Sequence, residues 1–161
     1  MRIGLDIDQT VVDFMNPYIQ LFGEPKNDYE ITRNVFKLKY NRKFWVNLPI
    51  LNVPDFKPEL FCTKRINPKE YTKESLRRFM DVQGIPFYQI YYQKGSKSKR
   101  IKGRVDVFID DSVSNFKELN EHGVPCLLID CPWNQEYETP LRIFSLKYRE
   151  IEYVYNKNFK K

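Results

Sequence analysis

Short apolar runs alternate with helix-length amphipathic stretches along most of this chain, and this alternation constrains the fold more than any other feature of the sequence. It is typical of a parallel β-sheet whose strands are connected by helices packed on its faces. We therefore predict an α/β fold with helices on both faces of the sheet. The predicted strands are Arg2–Ile7, Leu60–Thr63, Phe87–Tyr92, Val105–Ile109 and Cys126–Ile129, with a short strand near Ile143–Leu146.

Three helices are predicted from amphipathic spacing and from the residues at their ends. Pro68–Val82 has proline near its first turn, where the missing N–H does no harm. Ser112–Glu121 begins with a serine that suits an N-cap, and Gly123 follows as a stop. Arg149–Lys157 is expected to close the fold.

The stretch from about 14 to 58 departs from the alternation. It carries five prolines, no clear strand and the aromatic pair Phe44-Trp45. A connection of about forty residues is too long for a plain loop in a compact domain. We predict a small, partly helical cap at 14–58, inserted after the first strand, with 1–13 and 59–161 forming the core.

Composition excludes several classes of protein. The 161 residues fit one domain, and no apolar run approaches the roughly 18 residues of a membrane span. The three cysteines, Cys62, Cys126 and Cys131, form no CxxC pair, which favours free thiols and a cytosolic protein. The single histidine, His122, stands beside a glycine in a turn-like context, which argues against a histidine triad or a zinc cluster.

The chain is basic, with a formal net charge of +6. A basic protein attracts polyanions such as nucleotides, phosphate esters or nucleic acid, and charge alone does not choose among them. Six basic residues crowd into one loop, which is either a solvated surface or an anion-binding segment: Lys94, Lys97, Lys99, Arg100, Lys102 and Arg104.

Two apolar strands run directly into aspartates. Asp6 and Asp8 end the first strand, and the adjacent pair Asp110-Asp111 ends a later one. In parallel sheets these strand ends meet at one edge, where ligands bind. Carboxylates gathered there would repel one another unless a cation lay among them, and Mg²⁺ accepts such oxygen ligands together with phosphate and water. A third strand ends in Thr63, followed by Lys64 and Arg65, which offer donors to phosphate oxygens.

The segments DIDQT, FCTKR, the basic loop and FIDDS follow one another in a familiar order. With them the chain resembles the haloacid dehalogenase (HAD) superfamily over most of its length, which implies a Rossmann-like core. The cap between the first and second motifs resembles the helical-cap members. The DIDQTVVDF start and the IDCPWN segment at 129–134 are similar to the 5'(3')-deoxyribonucleotidase group.

The resemblance implies a Mg²⁺-dependent phosphatase. Asp6 would be the nucleophile that forms an aspartyl-phosphate, and Asp8 the acid and base. Mg²⁺ would be held by Asp6, the backbone carbonyl of Asp8, Asp110 and, through water or hydrogen bonds, Asp111. Thr63 would bind a phosphoryl oxygen. Gln9 replaces the glycine often found at its position, and we expect the change to be tolerated.

A lysine before the acidic strand would offset transition-state charge. Lys97 suits this role best, then Lys99, which is also a candidate for substrate binding with Lys64 and Arg65, and then Lys94. Phe44 and Trp45 are candidates for stacking on a base, or else belong to the core of the cap. Trp133 and Asn134 either border the site or pack.

The most favoured substrates are (deoxy)nucleoside monophosphates, which a small cap would admit. The basic charge leaves open a nucleic-acid 3'-end phosphatase, and the shared intermediate leaves open transfer to an acceptor other than water. A further alternative is an inactive HAD fold that binds nucleotide or nucleic acid. The sequence has no GxxxxGK[ST] element, which excludes an attached kinase of the polynucleotide kinase type.

Overall fold

The computed structural model describes residues 1–83 and 90–160, and its centre is a six-stranded sheet. The strands pair in the order β3-β2-β1-β4-β5-β6, and every described pairing is parallel. The predicted α/β class is confirmed. The bounds of the strands are β1 Ile3–Leu5, β2 Leu60–Thr63, β3 Ile90–Tyr92, β4 Val107–Asp110, β5 Cys126–Ile129 and β6 Arg142–Ile143.

One predicted strand, Phe87–Tyr92, is described only in part, because its residues 87–89 lie outside the described ranges. The three predicted helices correspond to observed helices at Lys69–Gln83, Val113–Glu121 and Tyr148–Phe159. None of the helices in the described ranges is both long and apolar enough to cross a membrane. The bounds of the helices are α1 Met15–Phe22, α2 Asp28–Leu38, α3 Arg42–Val46, α4 Lys69–Gln83, α5 Ser98–Ile101, α6 Val113–Glu121 and α7 Tyr148–Phe159.

Helices cover both faces of the sheet, as expected from β1, β2, β4 and β5, which are buried at every position. Side chains alternate along β4, so Val107 and Ile109 enter one hydrophobic cluster and Phe108 enters the other. The first cluster includes residues of α4 and α7, and the second includes residues of α5 and α6. Residues that end a strand therefore emerge from a rigid, doubly covered layer.

The predicted cap segment, 14–58, contains α1, α2 and α3. Its aromatic residues belong to the same hydrophobic cluster as the strands of the sheet. The ring of Phe14 stacks on Trp45 at 5.9 Å between centroids, and Phe44 meets Trp45 edge-on at 5.2 Å. The apolar interior of this segment is thus continuous with one face of the sheet, and its boundaries as a separate cap stay a prediction.

Gly4 allows the two central strands to pack closely. It lies opposite Phe108, where β1 pairs with β4. A Cβ atom at Gly4 would lie 2.7 Å from Cδ2 of Phe108 and 2.9 Å from Cγ1 of Val105, closer than packed carbon atoms approach. The absence of a side chain here therefore sets the fit between the two strands that end in Asp6 and Asp110.

We expect Gly4→Ala to destabilise the protein by about 1–3 kcal/mol, because the added methyl group overpacks a filled core. Chemical denaturation of the variant and the parent measures the difference. In a Val105→Ala background the same substitution should be less damaging, because one of the two clashing side chains has been shortened. Equal losses in both backgrounds would mean that the strain is not at this contact.

Candidate active site

Three carboxylates meet where the order of the strands reverses, between β1 and β4. Asp6 follows β1 directly, Asp110 is the last residue of β4, and Asp111 comes next. Chain connections leave in opposite directions on the two sides of such a switch point, which opens a crevice at the carboxyl ends of the strands. One oxygen from each of these three residues lies within 4.8 Å of the others. The sheet therefore brings together the acidic strand ends that the sequence singled out.

Lys97 joins the two central carboxylates. It precedes α5, and its Nζ lies 2.8 Å from Oδ1 of Asp6 and 2.7 Å from Oδ2 of Asp110. Its side chain is only 1% exposed, and the ammonium lies 5.4 Å from the ring centroid of Phe108. Lys94 and Lys99, the other two candidates from the sequence, are exposed. Of the three lysines, Lys97 alone contacts the carboxylates in the described part of the chain.

The burial of these charges shifts their pKa values. Burial raises the pKa of Asp6 from 3.8 to about 7, against the opposing effect of Lys97, and the charge of Asp110 adds to the rise. Burial also raises the pKa of Asp111, and the charges of Asp110 and Asp6 increase the shift. Burial alone would lower the pKa of Lys97, but the neighbouring carboxylates outweigh it and raise the pKa. The cluster is therefore short of positive charge.

The chemistry of these side chains fits Mg²⁺. When all three carboxylates are ionised they face one ammonium group, and two negative charges are left for a divalent cation to neutralise. Mg²⁺ prefers hard oxygen ligands and usually takes only a few from the protein, keeping water or phosphate in its other positions. Asp6, Asp110 and Asp111 are the residues that could hold it.

Asn115 is a part of the site that sequence reasoning missed. Its Nδ2 donates to both carboxylate oxygens of Asp110, at 3.1 and 3.2 Å, and its Oδ1 accepts from Nζ of Lys64. It lies in the first turn of α6, whose N-cap is Ser112. A helix that begins directly after an acidic strand end turns its first polar residues back toward that end, and this pattern is the signal that could have identified Asn115.

The carboxylate of Asp8 is bound by Arg65 and is not part of the three-residue cluster. Nε of Arg65 lies 2.9–3.0 Å from both oxygens of Asp8, and Nη2 lies 2.6 Å from Oδ1. The side chain of Arg65 is 1% exposed, and its guanidinium lies 5.2 Å from the ring of Trp45. Arg65, predicted to bind substrate, therefore contacts Asp8 and an aromatic ring of the 14–58 segment.

The remaining polar candidates differ in their surroundings. Thr63 is buried at the end of β2 and lines the cavity, where its Oγ1 accepts from the backbone N–H of Arg65 at 3.2 Å. Lys64 also lines the cavity and is hydrogen-bonded to Asn115. Lys99, a candidate for substrate binding, is exposed on α5 and is not among the residues that line the cavity in the described ranges.

Gln9 occupies a backbone conformation that favours glycine, with φ at 61°. Such a conformation costs a larger residue roughly 1–2 kcal/mol. In the amide orientation that satisfies both of its polar atoms, Oε1 of Gln9 accepts from the backbone N–H groups of Phe14, at 3.2 Å, and Met15. These N–H groups lie at the start of α1, where Oδ1 of Asp13 also accepts from the backbone N–H of Asn16 at 3.1 Å, so Gln9 adds to the capping of this helix.

A cavity of about 1210 Å³ opens from the carboxylates toward the helices of the 14–58 segment. Its wall on that side includes apolar residues such as Ile19, Ile31 and Val35. Trp45 also lines the cavity but is only 1% exposed, and Phe44 is 8% exposed and packs against its neighbours. The two aromatic residues that the sequence suggested for base stacking thus lie in the hydrophobic core.

The chain shares its fold with solved structures, but sequence comparisons find no relative. No protein-family model matches the chain, and no curated protein matches it. Among solved structures, the chain is similar to a HAD-superfamily hydrolase from Ehrlichia chaffeensis, with 14% sequence identity, 95% of each chain covered and a TM-score of 0.42.

Removing one charge from the cluster should stabilise the protein when no metal is present. The pKa of Asp111 is raised on folding, so the protein loses stability as pH rises through the folded-state pKa of this carboxyl group. An asparagine at this position has no charge to bury and avoids that loss. We expect Asp111→Asn to increase the free energy of unfolding at neutral pH by on the order of 1 kcal/mol. The gain should shrink as pH falls toward 3.8, and urea denaturation in the presence of a chelator measures it.

Asp106→Asn is the matched control, because this carboxylate precedes the same strand, β4, at its other end. Hydrogen bonds from Arg2, at 2.6 and 2.8 Å, lower the pKa of Asp106. Its contribution to stability is therefore present at neutral pH and lost in acid, and the control should destabilise the protein slightly. A loss of stability in both variants would contradict the electrostatic strain assigned to the cluster.

Proposed function

We propose that this protein is a Mg²⁺-dependent phosphatase of the HAD superfamily that hydrolyses nucleoside or deoxynucleoside monophosphates. The observation that carries the proposal is the buried ammonium of Lys97 between Asp6 and Asp110, with Asp111 beside them. A fold gains no stability from three buried acids around one lysine, so an arrangement of this kind points to function. The motif order in the sequence supports the same family.

The first chemical step is an attack by Asp6 on phosphorus. Lys97 contacts Oδ1 of Asp6, and Oδ2 has no partner in the described part of the chain, so Oδ2 is the attacking oxygen. A bond forms from this oxygen to phosphorus while the bond from phosphorus to the leaving oxygen breaks, which leaves a phosphoryl group on Asp6. A water oxygen then bonds to phosphorus, the bond to Asp6 breaks, and inorganic phosphate departs.

Asp8 handles the proton in both steps. It gives a proton to the leaving oxygen and later takes one from the attacking water, so it ends as it began. Oδ2 of Asp8 accepts one hydrogen bond from Arg65 while Oδ1 accepts two, which keeps a lone pair of Oδ2 available for the proton. Arg65 is thus a positioning residue that fixes the direction of the Asp8 carboxylate.

Mg²⁺ bound by Asp6, Asp110 and Asp111 would supply the positive charge that lets a negative nucleophile approach a negative phosphate. Lys97 adds a second positive charge on the same side, and Thr63 and Lys64 offer donors to phosphoryl oxygens. Asn115 holds Asp110 by its two oxygens and so fixes the direction of that carboxylate.

The size of the cavity favours a mononucleotide over a small phosphate ester. At about 1210 Å³ it exceeds the roughly 300–1,000 Å³ of ordinary small-molecule sites, so a phosphate alone would fill a minor part of it. Three free, buried thiols suit the cytosol, where nucleotides are plentiful and thiols stay reduced. We include the cytosolic location in the proposal.

We expect Asp6→Asn to lower Mg²⁺-dependent phosphate release from deoxynucleoside monophosphates by at least about 1,000-fold, because an amide does not form the phosphorylated intermediate. A chelator should abolish the activity of the parent enzyme. The control variant Asp106→Asn should remain active, because Asp106 lies at the end of β4 that is far from the site. Full activity of the Asp6 variant would exclude the covalent mechanism.

The same assay separates the substrate classes. Faster turnover of a 3'-phosphorylated oligonucleotide than of mononucleotides would replace the proposed substrate by a nucleic-acid end. Tight nucleic-acid binding without turnover of any phosphate ester would leave a binding protein in place of an enzyme.

Arg65→Lys keeps the positive charge but loses the two-pronged contact with Asp8. We expect kcat to fall roughly 10-fold with little change in KM, because misdirected proton transfer slows chemistry and leaves substrate binding intact. Arg42→Lys is a matched control, since Arg42 joins the 14–58 segment to Glu74 of α4 at the surface. A rise in KM with unchanged kcat would instead assign Arg65 to substrate binding.

A further inference from the structure

Trp133 is an aromatic residue that lines the cavity and is not buried. It is 47% exposed, whereas Trp45 is 1% and Phe44 is 8% exposed. It lies in the loop after β5, on the same edge of the sheet as the carboxylate cluster. Its indole Nε1 donates to Oδ2 of Asp111 at 3.0 Å. One edge of the indole is therefore fixed next to the phosphate-binding end of the cavity.

The loop that carries Trp133 is held rigidly by Asn134, which is 1% exposed. Nδ2 of Asn134 donates to the backbone oxygens of Asp111 and Ile129, both at 2.8 Å. Its Oδ1 accepts from Nη1 of Arg142 at 2.7 Å, and the same Nη1 donates to Asp130. Because these hydrogen bonds hold the loop, the side chain of Trp133 loses little conformational freedom when a ligand binds, and its contact with the ligand is preorganised.

We propose that Trp133 is the residue that recognises the base, by stacking its indole on the nucleobase of the mononucleotide while Asp111 holds the indole in place. The inference rests on the proposed function and extends it, because it assigns base recognition to the core of the fold, not to the aromatic pair of the 14–58 segment. Phe44 and Trp45 have their faces occupied by neighbouring rings and by Arg65. Trp133 therefore favours substrates whose leaving group carries a planar aromatic ring, as a nucleoside does in its base.

A binding measurement without catalysis tests the stacking. The chain has two tryptophans, so fluorescence excited where tyrosine does not absorb reports on Trp45 and Trp133 alone. Thymidine, which carries no phosphate to hydrolyse, should quench the emission of the parent protein, and deoxyribose should not. In Trp133→Phe, where the buried Trp45 remains as reporter, thymidine should leave the emission unchanged. Absence of quenching in the parent, or its persistence in the variant, overturns the proposal.

Steady-state kinetics separates stacking from support of Asp111. Trp133→Phe keeps an aromatic face but loses the hydrogen bond to Asp111, and Trp133→Leu loses both. For a deoxynucleoside monophosphate, the leucine variant should raise KM roughly 5- to 100-fold, while the phenylalanine variant should stay within about threefold of the parent. With glycerol phosphate, which has no base, the leucine and phenylalanine variants should have the same KM as each other, because both have lost the hydrogen bond to Asp111.

Equal losses in both variants, and with both substrates, would show that Trp133 acts only through Asp111 and would overturn the inference. Failure of the proposed function gives a different result, namely no phosphate release by the parent protein, and the thymidine measurement does not depend on that release. The two proposals therefore fail in distinguishable ways.

Discussion

The contact of Lys97 with two aspartates organises this molecule. Like charges at the ends of β1 and β4 would drive the two strands apart, and a single ammonium at 2.7–2.8 Å from both carboxylates holds them together. The compensation is incomplete, because Asp111 adds a third acid and burial keeps water away. Negative charge is thus in excess at the switch point of the sheet, and the stability of the surrounding core compensates for the repulsion.

The residues around this centre divide into two groups with different tasks. One group holds charges in fixed directions: Asn115 on Asp110, Arg65 on Asp8 and Trp133 on Asp111. The other group connects the strand ends to the helices of the 14–58 segment, through Gln9 on the first turn of α1 and Arg65 on Trp45. Arg65 belongs to both groups, so the position of Asp8 and the packing of that segment depend on one buried side chain.

The sequence was sufficient for the features that depend on local pattern. Strand and helix positions follow from apolar periodicity, and strand ends in a parallel sheet must share an edge, so the meeting of Asp6 with Asp110 could be predicted. The pairing of Asp8 with Arg65 could not, because the residues lie 57 positions apart and either could have faced a ligand. Periodicity also gave no way to tell that Trp45 is buried while Trp133 is exposed.

Gly4 connects the stability of the sheet with the geometry of its charged edge. The ring of Phe108 packs within reach of the Gly4 backbone on one side and lies 5.4 Å from the ammonium of Lys97 on another. Any substitution that repacks this ring to improve the interior also moves a neighbour of the central cation. Gly4 is buried and does not line the cavity, yet it limits which substitutions the site tolerates. We therefore expect substitutions at Gly4 and Phe108 to occur together in related sequences.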